Sequence, residues 1–387
     1  MEKSVVYLLW NKLQAFYFFS KSFFKLQGQK RKGKFSMQLL QQTIHNIQSA
    51  DYKMMEKARE RIDALCKPPR SLGKLEALAV QLSGITGELF PAIDNKAIIV
   101  CAADHGVCDE GVTSNPQNVT VFQTLNFPRG GTGVCAIAKI TDAKIVTVDV
   151  GVKEDIPLDA GVIVKKIKYG TDNMAKGPAM SREEAIQSVE VGIEVATEEI
   201  KNGINVLGTG EMGIGNTTPS AAILSVLREC HPNEVTGFGA GVGPGGIAHK
   251  VQVIYDAIAL NKPNRDDAID ILAKVGGLEI GAMAGVILAA AAHRKPVVID
   301  GFISTIAALI AYELEPNVKD YIIPSHASEE PGAKIAADML GVEPMLQMNM
   351  RLGEGSGAAL AFPILDAACS MMKNMATLEE AMLLLKK

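Results

Sequence analysis

In the run Arg351-Leu352-Gly353-Glu354-Gly355-Ser356-Gly357, a single carboxylate lies between glycines, after a Met-rich stretch and before the apolar run 358–372. An acid flanked by glycines meets a ligand with little side-chain obstruction, and apolar surroundings would raise its pKa toward the range of a general base. The same spacing also suits a carboxylate drawn to a helix N-terminus by the dipole. A second run, Gly208-Thr209-Gly210-Glu211-Met212-Gly213-Ile214-Gly215-Asn216-Thr217-Thr218-Pro219, follows a short apolar stretch. It closes on a Thr able to cap and a Pro suited to the first helical position, so its backbone N–H groups would cradle a phosphate at a helix start. Phosphate would repel Glu211, which is therefore expected to face a cationic or hydroxylated part of the ligand.

Other loops offer single polar groups. Asp104-His105 follows the apolar run 98–103 and reads either as a catalytic pair or as groups that fix the loop by hydrogen bonds. Asn115 and Gln123 read as hydrogen-bond partners for a neutral heterocycle or as purely structural groups. Lys250, after the glycine-rich stretch 237–246, could neutralise a phosphate or lie solvated on the surface. Ser328, within Ser325-His326-Ala327-Ser328-Glu329-Glu330-Pro331, reads as an N-cap or a phosphate ligand. No metal site is expected: HExxH, clustered His and paired Cys are absent, and Cys101, His105 and Cys108 would meet a metal only by accident of fold. Gly208, Gly210 and Gly213 match GxGxxG literally, which raises a dinucleotide-dependent oxidoreductase as a competing reading. The helix start beyond the third glycine argues against it, since the dinucleotide fingerprint opens its helix within the motif.

These loops need strands to hold them. Short β-rich runs at Ala97–Ala103, Lys144–Val150, Ile204–Leu207, Pro296–Asp300, Tyr321–Ile323 and Met345–Met348 each close in a polar or glycine-rich loop. Alternation with helical runs predicts an α/β fold, a parallel sheet with helices on both faces and ligands at the carboxyl ends of the strands. From Gln38 to about Gly87 the apolar spacing is helical, broken by Pro68-Pro69, and predicts a helical portion that forms a separate lobe or packs across a partner.

The 387 residues, 48% hydrophobic and only 5% aromatic, suffice for a large core. Residues 1–36 hold eight Lys/Arg and one acid; they carry +7, which leaves −11 on the remainder and no electrostatic case for nucleic-acid binding there. Six cysteines scattered without a CxxC pair suggest reduced thiols in an intracellular, cytoplasmic protein. The charge-free run 280–292 is short for a bilayer and suits a buried helix, so no membrane partner is expected. The basic, aromatic residues 1–36 lack a continuous hydrophobic core and a cleavage site. Arg31-Lys32-Gly33-Lys34 can be encoded by purine-rich codons that resemble a ribosome-binding site. Translation is therefore expected to start at Met37, with a disordered or surface-lying extension, or a targeting segment, as the alternatives.

Together the motifs KPPRSLGKLE, ADHGV, GGTGVCAIAK, VDVGV, GTGEMGIGNTTPSAA, GVGPGG, HASEEPGA and RLGEGSGAALA, between about Lys67 and Met372, resemble one family: nicotinate-nucleotide:dimethylbenzimidazole phosphoribosyltransferase, of the lower-ligand branch of cobalamin synthesis. The resemblance implies a Rossmann-like domain over 91–345, and a small helical domain drawn from 37–90 and from part of 346–387. It also implies a homodimer, and transfer of ribose phosphate from nicotinate mononucleotide to a benzimidazole nitrogen with inversion and no cofactor. Carried over onto this chain, Glu354 would be the base, with Glu211 close to the ribose. Gly213, Ile214, Gly215, Lys250 and Ser328 would hold the phosphate; Arg351 suits a carboxylate or phosphate. Leu352 suits a flat apolar ring, and Met212, Gln123 and Asn115 would line the benzimidazole pocket. Asn115 stands where some relatives carry Ser, which opens the acceptor to another benzimidazole, a phenol or a purine. A nucleotide-binding sensor without catalysis is a further reading, against which an intact Glu354 speaks.

Overall fold

The computed structural model describes residues 36–243 and 245–384; the readings made for residues 1–35 lie outside the described residues. One sheet joins β1 (Lys96–Ala103), β2 (Lys144–Gly151), β3 (Ile163–Val164), β4 (Val206–Met212), β5 (Val297–Ile299) and β6 (Ile322–Pro324). The strands lie in the order β3-β2-β1-β4-β5-β6, and every pairing is parallel. The chain first winds from β1 outward to β3, then returns to the other side of β1. The carboxyl ends of β1 and β4 therefore diverge into loops on opposite sides of one crevice, where open α/β sheets bind ligands.

The helices are α1 (Ser36–Asn46), α2 (Tyr52–Asp63), α3 (Lys74–Thr86), α4 (Val119–Asn126), α5 (Gly133–Ala138), α6 (Arg182–Lys201) and α7 (Thr217–Arg228). They continue as α8 (Gly246–Asn261), α9 (Ala268–Val275), α10 (Leu278–Ala292), α11 (Phe302–Leu314), α12 (Pro331–Leu340), α13 (Ser356–Asn374) and α14 (Leu378–Leu384). All residues of β1, KAIIVCAA, are buried, as a strand covered on both faces requires. Its side chains alternate: Ile99 and Cys101 enter a core with Val189 of α6 and Ile280 of α10. Ile98 and Val100 enter the opposite core with Leu82 of α3 and Phe362 of α13. The run 280–292 is indeed a buried helix. Among the described residues no helix is long and apolar enough to cross a membrane.

The helical run after Gln38 appears as α1, α2 and α3, and it meets the other end of the chain. Cys66 N–H donates to Ala376 O (2.9 Å) and Leu378 N–H to Ala64 O (2.9 Å). The first helix crosses onto α6, where Leu40 N–H donates to Glu190 Oε1 (3.2 Å).

Three local readings change. The third strand runs over Val206–Met212, so Gly208 to Met212 belong to β4 and not to the loop; its pairing with β1 along this whole length overrides the poor strand preference of glycine. Met345–Met348 is no strand, because only Leu346 bridges to His326. At α7 the N-cap is Asn216 and Pro219 is the third helical residue, a first-turn position where the missing N–H has no intrahelical partner to lose.

Helices α6 and α10 touch backbone to backbone: a Cβ on Gly285 would strike the Val189 carbonyl and the Ile193 amide. Alanine would gain about 1 kcal/mol in helix propensity, but the obstructing atoms are main chain, and overpacking costs about 1–3 kcal/mol. A main-chain clash this close puts the cost at the upper end of that range, so Gly285→Ala is expected to destabilise the fold by about 2 kcal/mol net. Urea denaturation reads this as a lower midpoint; an unchanged or higher midpoint would contradict the packing argument.

Candidate active site

A cleft of about 230 Å³ opens at the carboxyl edge of the sheet, over the β1/β4 crevice. Its floor is Glu211 and Met212 at the end of β4, followed by the Gly213-Ile214 turn into α7. One wall is Asp300, directly after β5, with His326 and Ser328 after β6. Arg351 to Glu354 form the opposite lip, and Asn115 and Gln123 reach in from the loop and helix that follow β1.

The lip is built from an uncommon backbone. Gly353, Glu354 and Gly355 have φ of +85°, +64° and +91°, three left-handed residues in succession. Glycine adopts this region freely, whereas a side-chain-bearing residue does so at a cost of about 1–2 kcal/mol. The turn lies flat on β4 because Gly210 has no side chain: a Cβ there would run into the Glu354 carbonyl. Glu354 is thus buried, with Oε2 accepting the Val134 N–H (3.2 Å) at the start of α5. Burial pushes its carboxyl above the usual range, while the Val134 and Gly133 amides pull the other way.

Glu211 is also buried, and its Oε2 accepts from Asn216 Nδ2. Burial, opposed by the Asn216 bond and aided by Asp300 and Glu279, pushes its carboxyl up to about 8. Asp300 is pushed up to about 7 by burial, against hydrogen bonds from the Gly357, Gly355, Ala358 and Gly301 backbone. Raised pKa values mean that these carboxyls hold their protons more tightly than usual, and positive charge brought into the cleft favours their ionised forms.

The phosphate end differs from the simplest expectation. Ile214 N–H already donates to Thr120 Oγ1 (3.1 Å). Gly215 continues the turn but does not line the cleft. Nor does Lys250, in the second turn of α8; it is buried, so the solvated-surface reading fails. Its Nζ donates to Thr217 Oγ1 (2.8 Å) and to Gly237 O (3.1 Å), and Thr217 does line the cleft. Lys250 therefore stands one residue behind the wall at the N-terminus of α7, where burial pulls its pKa down to about 8 against the opposing charge of Glu330.

Ser328 does not occupy the N-cap of α12, which is Glu330; its Oγ accepts the Glu330 N–H only at 3.5 Å. The Asn115 amide donates to Ala240 O (3.1 Å), tying its loop to the glycine-rich segment beyond α7. Arg351 and Leu352 are exposed at the rim, the latter by 60%. Asp104 and His105 stay outside the cleft and fix loops: Asp104 Oδ2 accepts the Lys153 N–H (2.8 Å), and His105 pairs with Glu279 (2.7 Å) in the interior. Gly208 and Gly210 lie inside β4, so the GxGxxG match forms no dinucleotide turn.

Asp300, His326 and Thr217 were not among the expected site residues. Asp300 ends a run read as a strand, and the rule that ligands gather at strand ends could have flagged it. Its partners, 55 and 57 positions away, leave no mark in local spacing.

A family model described as "Phosphoribosyltransferase" matches residues 47–383. The chain is 63% identical over 345 residues to the nicotinate-nucleotide–dimethylbenzimidazole phosphoribosyltransferase of Alkaliphilus metalliredigens, covering 89% of this chain and 99% of the relative. It is 53% identical to the enzyme of the same name from Clostridioides difficile, with the same coverage. The crystal structure of the nicotinate-nucleotide–dimethylbenzimidazole phosphoribosyltransferase from Thermus thermophilus superimposes with a TM-score of 0.82 at 40% identity. That match covers 86% of this chain and 99% of the other.

The raised Glu211 pKa makes stability depend on pH. The folded state holds this proton more tightly than the unfolded chain, so the stabilisation is complete below the ordinary value of 4.5 and is lost as pH rises through about 8. Glu211→Gln, which cannot ionise, should gain on the parent protein as pH rises from 5 to 8, by roughly 2 °C or more in Tm. A Tm difference that stays flat or shrinks across this range would contradict the buried-carboxyl description.

Proposed function

The chain belongs to the nicotinate-nucleotide:dimethylbenzimidazole phosphoribosyltransferase family, and from that premise we propose that it transfers the 5-phosphoribosyl group of nicotinate mononucleotide to 5,6-dimethylbenzimidazole. The products are α-ribazole 5′-phosphate and nicotinate, in the nucleotide-loop assembly of cobalamin. One benzimidazole nitrogen attacks the anomeric carbon from the face opposite the pyridine. The C–N bond to the pyridinium breaks, its electron pair stays on the nicotinate nitrogen, and the configuration inverts.

The attacking ring then carries a proton on its other nitrogen, and Glu354 accepts it. A pyridinium leaves without acid assistance, so the protein's work is to hold the phosphate, align the nitrogen and remove one proton. The observation that carries this reading is that Glu354 and the N-terminus of α7 face one cleft of about 230 Å³. A phosphate at that helix start gains the dipole and the charge of Lys250 behind Thr217. Gly213, Ile214 and Ser328 line its seat, and Gly215 carries the turn behind them. Glu211 faces the ribose, where positive charge growing at the anomeric carbon favours its ionised form and is offset by it. Arg351 binds a carboxylate or phosphate at the rim, and Leu352, Met212, Gln123 and Asn115 flank the acceptor ring. No electrons change hands, so the step involves no redox cofactor.

Asn115 lines the cleft with its amide tied to Ala240 O. A pocket bounded by this amide is open to 5,6-dimethylbenzimidazole, another benzimidazole, a phenol or a purine. We further propose a cytoplasmic homodimer, with the chain's two ends forming a small helical domain beside the sheet.

Incubation with nicotinate mononucleotide and 5,6-dimethylbenzimidazole, followed by chromatography, is expected to give α-ribazole 5′-phosphate. Glu354→Ala should lower kcat by about two orders of magnitude or more, the scale of a lost general base. Full turnover by Glu354→Ala would remove the role assigned to this carboxylate even if product still formed in the parent protein.

A further inference from the structure

Helix α13 begins immediately after Glu354 and lacks a local cap. Its N-cap residue is Gly355, which has no side chain to offer the first-turn amides. Those amides are instead met from a distant part of the chain. Asp300 Oδ2 accepts the Gly355 N–H (3.0 Å) and Oδ1 the Gly357 N–H (2.7 Å), at separations of 55 and 57 residues. Asp300 is anchored in turn: it follows β5 directly, and its carbonyl accepts Ser325 Oγ (3.1 Å) from the end of β6. A carboxylate fixed to two strands therefore grips the two amides that bracket the exit from the left-handed turn.

That grip bears on Glu354 itself. The turn is held against β4 on one side by the absence of a side chain at Gly210, and on the other by Asp300. Between them, the Glu354 backbone keeps φ +64°, and its carboxylate reaches Val134 N–H. Loosening either contact lets the turn relax toward the commoner right-handed region and swings the carboxylate off the cleft wall. Asp300 lines the same cleft without standing at its lip, and its side chain is fully buried.

We infer that Asp300 is a positioning residue for the transfer reaction: its carboxylate clamps the Gly355 and Gly357 amides and thereby fixes the left-handed turn that presents Glu354 to the acceptor. This rests on the reading of Glu354 as the base. Asparagine at 300 would offer one acceptor and one donor to two amides that both donate, so one contact becomes a repulsion. Glutamate would keep the charge but displace the grip by one methylene.

A double-mutant cycle tests the inference, read as kcat and KM for nicotinate mononucleotide, with thermal unfolding of each variant. Asp300→Asn and Asp300→Glu are both expected to lower kcat by about 10-fold or more while KM changes by less than about threefold, since misplacement by about 1 Å costs on the order of 100-fold. In a Glu354→Gln background, either substitution at 300 should lower kcat by less than about threefold, because the group it positions is already gone. If Asp300→Asn does not unfold cooperatively, Asp300→Glu carries the cycle. If Glu354→Gln alone leaves kcat intact, the base assignment fails. If Glu354→Gln lowers kcat but the substitutions at 300 multiply its effect in full, or raise KM without touching kcat, Asp300 acts independently of Glu354 and the inference is overturned.

Discussion

Everything in the cleft depends on the backbone turn Gly353-Glu354-Gly355 staying left-handed. Three consecutive positive φ angles are tolerable only because two of the residues are glycine, and the third, Glu354, adopts its angle at a cost of about 1–2 kcal/mol. Such a turn does not persist by itself. It is enforced from below by the bare backbone of Gly210, from beside by the Asp300 clamp and from above by the Val134 amide. The sheet order brings these supports together, because β4 and β5 are neighbours and their carboxyl ends carry Gly210, Glu211 and Asp300 side by side.

Electrostatics in this cleft are unbalanced by the fold itself. Glu211, Asp300 and Glu354 share a buried space, and burial raises all three above ordinary carboxyl values. In the proposed reaction a ribosyl pyridinium would bring positive charge to this cluster, and its phosphate would meet the opposite field at the α7 N-terminus, with Lys250 behind it. On that proposal, the separation of a cation-seeking end from an anion-seeking end would orient the nucleotide before any chemistry begins. Both ends are fixed to rigid strands and helix starts, so orientation requires little reorganisation.

Much of this was legible in the sequence where chemistry and local spacing coincide. Glycines flanking Glu354, the glycine-rich run ending at Thr217-Thr218-Pro219 and the apolar β1 are all local signals, and the ordered motifs identified the family. Legibility failed where the decisive partner is distant. Gly208 and Gly210 read as loop residues because glycine is a poor strand former, yet pairing with β1 and close packing under the Glu354 turn make them strand. Met345–Met348 read as a strand from its apolar residues but finds only a single bridge. Lys250 could have been surface or site, and what fixes it is burial against Thr217 and Gly237, 33 and 13 residues away. Asp300 carried no local signal beyond its place at a strand end.

The central claim is that Glu354, and not Glu211, receives the acceptor's proton. A crystal structure with 5,6-dimethylbenzimidazole and nicotinate bound together tests it most directly. The expected result is one benzimidazole nitrogen within about 2.6–3.2 Å of the Glu354 carboxylate, with the ring lying against Leu352. A base bound with its nitrogens on Glu211, or seated outside the cleft, would contradict the account.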